Sequence, residues 1–152
     1  MMIPALSVKQ PHADLIARGT KVFETRTWMT RYRGPLVICS SRLPKGCGVT
    51  GRALCVSFLR HCRPMTPADE AGACCQVYDQ ACVWELLPER RIVLKAMEPV
   101  RGRLGIFALC LPESEFFLPE ERDRVRRWLQ WSQDHGYLRQ IKEFRARERA
   151  QR

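Results

Sequence analysis

Lys21, Glu24 and Arg26 place two cations and a carboxylate on one short stretch, G-T-K-V-F-E-T-R, starting at Gly19. Lysine and arginine hold phosphate oxygens or base edges, and a glutamate accepts from an exocyclic amine. The surrounding stretch Leu6–Gly34 adds Lys9, His12 and Arg33, interleaved with Trp28 and Tyr32. Phosphates call for cations and bases for flat faces, so the segment has the chemistry for a phosphate-and-base ligand. On a regular exposed strand the same charges would instead form a weak surface cluster. A strict strand sends Lys21 to the face opposite Glu24 and Arg26. The three converge only if the backbone is not yet a strand when it leaves Gly19.

Lys21 beside Glu24 or His12 also offers an acid–base couple next to a phosphate, as a ribonuclease needs. For an enzyme, Lys21 and Glu24 are the catalytic candidates, with a divalent metal ion as the cofactor of a nuclease. A binding protein needs no cofactor. His12 follows Pro11 on the first expected helix and faces either a cleft or solvent. Trp28 and Tyr32 either stack a base or close one end of a core, and Trp84 on an apolar strand reads as core. The eight cysteines, at 39, 47, 55, 62, 74, 75, 82 and 110, form no C-x-x-C pair. They are expected as small buried hydrophobes and free thiols, His61-Cys62 included, and no metal site is assigned.

A chain of 152 residues with 45% hydrophobic content has enough apolar material for one domain with a real core. Its 26 Lys and Arg against 16 Asp and Glu give a formal charge of +10. That excess favours a polyanionic partner, with RNA or a nucleotide-like molecule ahead of a membrane surface. The start, MMIPALSVKQP, does not read as a signal peptide, and no apolar run is long enough to span a bilayer. A cytoplasmic protein with reduced thiols is therefore expected.

The elements that must position these residues are short. Pro11 suits a first helical turn, Ala13, Leu15 and Ile16 supply an apolar stripe, and Gly19 suits the left-handed stop. Strands are expected over Lys21–Arg26, Leu36–Cys39, Val49–Phe58, Cys82–Leu87, Ile92–Lys95 and Leu104–Leu111. Thr66-Pro67 followed by Asp69 and Glu70 marks a capped helix start. Pro119 opens a strong helix that runs to Gly136, and Tyr137–Arg152 can form a second. Residues 120–152 hold ten Lys and Arg against six Asp and Glu, so Arg122, Arg126, Arg127 and their neighbours either extend a basic track or face solvent.

Three ordered patterns resemble the ASCH domain: LSVKQPHADLI, then Gly19, Lys21, Glu24 and Arg26 as G-x-K-x-x-E-x-R, then Thr30–Gly34 as T-x-Y-R-G. Gly48–Leu54, Trp84-Glu85-Leu86 and the turn Pro99–Gly105 agree with it, so the resemblance spans residues 4–111. It implies a PUA-like β-barrel with helices at its side and a cleft holding Lys21, Glu24 and Arg26. Proteins of this kind handle RNA or nucleosides. Some are ribonucleases, and a bacterial branch hydrolyses acylated cytidine with a lysine, a threonine and a glutamate. Here His12 stands where many relatives have Trp, and Cys39-Ser40 where His-Ala is common. Glu24 occupies the place of the hydrolase threonine, and Thr25 beside it points to the other face of a regular strand. A neighbouring carboxylate also favours the ammonium form of Lys21, the wrong direction for a general base.

The expectation is thus an α+β protein: an ASCH domain over residues 1–112 built as a small barrel, with a basic helical extension over 113–152. The RNA or ligand site comprises Lys9, His12, Lys21, Glu24, Arg26, Trp28, Tyr32 and Arg33. The alternatives are an enzyme of RNA or nucleoside metabolism and a scaffold that binds a protein partner through its C-terminal helices.

Overall fold

In the computed structural model, which describes residues 1–152, the chain begins with β1 (Met2–Val8). This strand was not expected, because Pro4 interrupts its apolar run. The proline is tolerated since pairing with β3 (Gly34–Ser40) starts only at Ala5. Next comes α1 (His12–Ala17), stopped by Gly19 at φ +81°. The N–H groups of Thr20 and Lys21 both donate to the Leu15 carbonyl, which wraps the helix end. Extended pairing therefore begins only at β2 (Phe23–Arg26), and Lys21 stands just before it. The condition for the three charges to converge is met.

β4 (Ala53–Pro64) starts and ends later than expected and serves two partners. Its first half pairs with β3 and its second with β5 (Cys82–Leu86), and the register shifts between Leu59 and His61. β6 (Ile92–Val93) pairs with Val56 and Cys55, and β7 (Ile106–Cys110) runs antiparallel to β1. The result is a seven-stranded sheet of order β2-β5-β4-β3-β1-β7, with β6 also on β4.

The expected barrel is not closed. The strand order ends at β2 and β7, and no backbone pairing joins them. Side chains span the gap instead, with Arg26 of β2 donating to the Ser7 carbonyl of β1 at 2.7 Å.

Both faces of the sheet are buried, and the alternation of β3 divides them. Leu36 and Ile38 enter one core with Leu6, Ile16, Tyr32 and Trp84. Val37 and Cys39 enter the other with Ile3, Ala5, Val56 and Phe107. The C-terminal segment takes part in both. α3 (Pro119–Asp134) contributes Val125 to the second core, while Leu138 and Ile141 join the first. The single helix expected over 137–152 is split. Tyr137–Gln140 forms a 3-10 turn, Ile141 is extended, and α4 (Lys142–Ala150) follows. That break lets Leu138 and Ile141 both reach the core.

Thr66 and Asp69 form a reciprocal capping box ahead of α2 (Glu70–Ala73). Asp69 also accepts two hydrogen bonds from Arg63, at 2.7 and 2.8 Å, and Arg63 reaches Glu85 of β5 at 3.0 Å. Arg63 holds the Asp69 carboxyl well below the usual carboxylate range, with burial opposing and Thr66 reinforcing the shift. A depressed carboxylate stabilises the fold above its unfolded pKa of about 4 and loses that contribution as pH falls towards the folded value. Asp69→Asn is therefore expected to cost about 1–2 kcal/mol at neutral pH. In urea titrations the gap from wild type should close below about pH 4. A gap that stays constant with pH would refute the assignment.

Candidate functional site

The open side of the sheet holds a cleft of about 430 Å³, within the range of small-ligand pockets. Its walls come from the end of β1 (Ser7, Val8, Lys9), His12 of α1, Lys21, β2 (Glu24, Thr25, Arg26) and the segment Arg103–Gly105 before β7. Cys75 and Tyr78, beyond α2, complete it. The cleft thus lies along β2, one of the two strands left at an edge of the open sheet.

Lys21 is buried, with its side chain 1% exposed. It donates to the Ala73 carbonyl and lies 3.9 Å from Glu24 Oε1. Glu24 Oε1 accepts from the Thr25 N–H at 2.8 Å, and Oε2 accepts from Arg26 at 3.2 Å. Both oxygens keep lone pairs for a further donor. Arg26 is held from two sides, by Glu24 and by the Ser7 carbonyl. A buried cation, a carboxylate and a partly open guanidinium are arrayed in sequence along one wall.

Three other polar atoms in this cleft are buried without a hydrogen-bond partner: Ser7 Oγ, His12 Nδ1 and Arg26 Nε. Such atoms are rare in folded proteins, because each costs its full desolvation. Here all three belong to residues that line one cavity. Burial, and then the neighbouring Lys21 cation, push the His12 imidazole below its ordinary pKa, with Glu24 partly opposing. Both burial and Lys21 thus favour the neutral imidazole.

Lys9, His12, Lys21, Glu24 and Arg26 are brought together as the sequence suggested. Trp28, Tyr32 and Arg33 are not. Trp28 lies edge-on to Trp84 at 4.8 Å and accepts a hydrogen bond from its indole N–H. Tyr32 is wholly buried, donating to the Pro35 carbonyl. Arg33 bonds the carbonyls of Thr30 and Tyr32 at 2.6 and 2.7 Å and stiffens the turn. The turn after β2 carries both aromatics away from the cleft, Tyr32 into the core and Trp28 to an exposed position against Trp84. Thr25, expected on the far face, lies in the cleft wall, where its hydroxyl is 3.8 Å from Cys75 Sγ.

Ser7, Cys75, Tyr78 and Arg103–Gly105 were not anticipated as site residues. One signal was available for the last of these, the turn Pro99–Gly105. Gly102 packs so tightly on β1 that a Cβ there would overlap Ser7 Oγ. A glycine is needed for that approach, which places Arg103 and Leu104 at the cleft mouth. All eight cysteines are free. Cys39 and Cys55 are interior thiols pushed up to about 12 by burial. No group of three or more His, Cys, Asp or Glu side chains is gathered as metal ligands would be.

A sequence model of the ASCH domain matches residues 6–149. The chain belongs to the ASCH family. The match passes residue 112 and takes in α3, in keeping with the packing of the C-terminal helices into both cores. No curated protein matches the chain in sequence. Among solved structures, the ASCH protein of Zymomonas mobilis is similar in fold. A serine-to-alanine mutant of it superposes with TM-score 0.50 at 11% identity, covering 82% of this chain and 94% of that one. A structure of ASCH from the same organism gives TM-score 0.45 at 14% identity, covering 82% and 93%. At these identities the likeness concerns the fold alone. The ASCH family is generally linked to RNA binding. In this member no helix is long and apolar enough to cross a membrane.

Proposed function

We propose that this ASCH domain binds RNA by holding one nucleotide unit in the cleft. The observation that supports this most is the gathering of Lys21, Glu24 and Arg26 along one wall of a single cleft, with Lys9 and His12 beside them. A ligand with several donors and acceptors would meet the remaining Glu24 lone pairs and the partly exposed Arg26 guanidinium. The Arg26 guanidinium and Glu24 suit a base edge, since one donates and the other accepts. Lys9 and Arg103 are exposed cations at the rim, placed for phosphates. Tyr78 provides a flat ring at the mouth, and the fully exposed Leu104 adds apolar surface. On this reading the domain works in the cytoplasm and needs no cofactor.

The hydrolase alternative is less well supported by the contacts. The Thr25 hydroxyl faces Cys75, and Lys21 is engaged by Ala73 and Glu24. A threonine nucleophile needs its base within hydrogen-bond reach. Titration calorimetry with the four nucleoside monophosphates and a short RNA tests the binding reading. Arg26→Ala is expected to weaken binding by roughly tenfold, as loss of a charge-assisted hydrogen bond does. Unchanged affinity in that variant would remove the cleft from the account. Incubation with labelled RNA and with acylated cytidine tests the enzyme. Product formed by wild type but not by Lys21→Ala would replace binding with catalysis.

A further inference from the structure

Helix α3 and its C-cap carry five residues on one stripe: Arg124, Arg127, Trp128 and Trp131 on the helix and His135 at the cap. Their i, i+3 and i, i+4 spacing places them side by side along the helix. Trp131 is 38% exposed, and its ring lies 4.5 Å from that of His135. Tyr137 continues the array, 5.6 Å from Trp131 and nearly parallel to His135 at 13°. The His135 ring is held by a 2.7 Å contact between Nδ1 and the Trp131 carbonyl, so its orientation is set. Beneath them, Phe58 of β4 braces Trp131 at 5.5 Å and Trp128 at 6.1 Å. The aromatic rings are supported rather than free to turn.

The arginines of this helix divide in two. Arg122 and Arg126 are engaged by Glu113 and Asp123. Arg124 and Arg127 form no ion pair. Arg124 lies over the Trp128 ring at 5.4 Å, and Arg90 over Phe58 at 4.5 Å. Asp134, at the end of the helix, accepts from Gln130 at 2.8 Å. The stripe itself has no carboxylate. None of these residues lines the cleft.

We infer that this stripe is a second RNA contact, a stacking platform for single-stranded nucleotides outside the one held in the cleft. Braced aromatic rings accept any base by stacking, and unpaired arginines beside them take the backbone phosphates. A protein partner would also use tryptophan and arginine, but the unneutralised cations on a chain of charge +10 favour the polyanion. The inference rests on RNA as the partner and is independent of the cleft.

Single-stranded oligouridylate and oligoadenylate of roughly ten nucleotides, a length that spans several stacking sites, are the probes. Wild-type tryptophan fluorescence should be quenched on titration. Trp131→Ala is expected to weaken oligomer binding roughly tenfold. Arg124→Ala with Arg127→Ala should reduce the slope of log affinity against log salt by about 1.4. Nucleoside monophosphate binding, which reads the cleft, should be unchanged in both. Wild-type affinity for the oligomers in these variants would overturn the platform, even if Arg26→Ala still weakened binding. So would a wild-type protein that binds no oligomer, or monophosphate binding that falls by the same factor as oligomer binding. Should Trp131→Ala fail to fold, the exposed arginine pair decides the matter alone.

Discussion

Glu24→Ala is expected to destabilise the fold by about 3 kcal/mol and to abolish most ligand affinity. Glu24 is buried and stands between Lys21 and Arg26, accepting from the second and lying within ion-pair distance of the first. Its removal leaves the Lys21 ammonium in the interior with only the Ala73 carbonyl to solvate it. A buried charge stripped of its counter-ion is costly because water cannot replace the lost partner. Arg26 would also lose one of the two contacts that aim it into the cleft. Replacing both buried charges, as Lys21→Met with Glu24→Gln, should cost less than the sum of the two single changes. Urea unfolding of the cycle measures this coupling. Strict additivity would mean that the two side chains act independently, and the ion pair would be dismissed.

Trp84→Ala is expected to cost about 4 kcal/mol, the largest loss from one side chain in this molecule. Trp84 is completely buried in the first core and donates its indole N–H to the Trp28 carbonyl at 3.1 Å. It also lies directly across from Glu24 in the β2–β5 pairing. A cavity there would remove packing from beneath the cleft wall and free Trp28 from its edge contact. Against a typical total of about 5–15 kcal/mol, that loss is a large share of the stability. Trp84→Phe keeps most of the ring volume but loses the hydrogen bond, so about 1–2 kcal/mol is expected. Equal midpoints for the two variants in urea would show that the indole bond, not the packing, carries the effect.

Local chemistry made several parts of the fold legible. Gly19 at positive φ, the Thr66–Asp69 capping box and Pro119 at the start of α3 each follow rules that operate within a few residues. Trp84 as core was readable from the apolar strand around it. Lys21, Glu24 and Arg26 were legible as candidates, and the conditional nature of their convergence was too. The helix stop at Gly19 delays β2 until Phe23, and that delay is a local event.

Other features depend on distant pairings. β1 was hidden by Pro4, whose acceptability is set by where β3 begins its register, some thirty residues on. Trp28 and Tyr32 have the composition of base-stacking groups, but the turn through Arg33 buries Tyr32 in the core and holds the exposed Trp28 edge-on to Trp84, outside the cleft. The length of the C-terminal helix was overestimated because helical spacing continues through Ile141, where core burial breaks it.

By itself the sequence determined the mixed α+β class, the positions of the helix stops and caps, and the charged residues able to meet a polyanion. Those features depend on side-chain type, backbone permission and short-range periodicity, all of which are present in a local window. Tertiary structure decided that the sheet stays open between β2 and β7, and that Ser7, His12 and Arg26, which line the cleft, each keep a buried polar atom without a partner. It also decided which arginines of α3 are paired and which remain free. Hydrogen-bond satisfaction is a property of neighbours in space, and the neighbours of β1 come from β3 and from β7, which are far apart in the sequence.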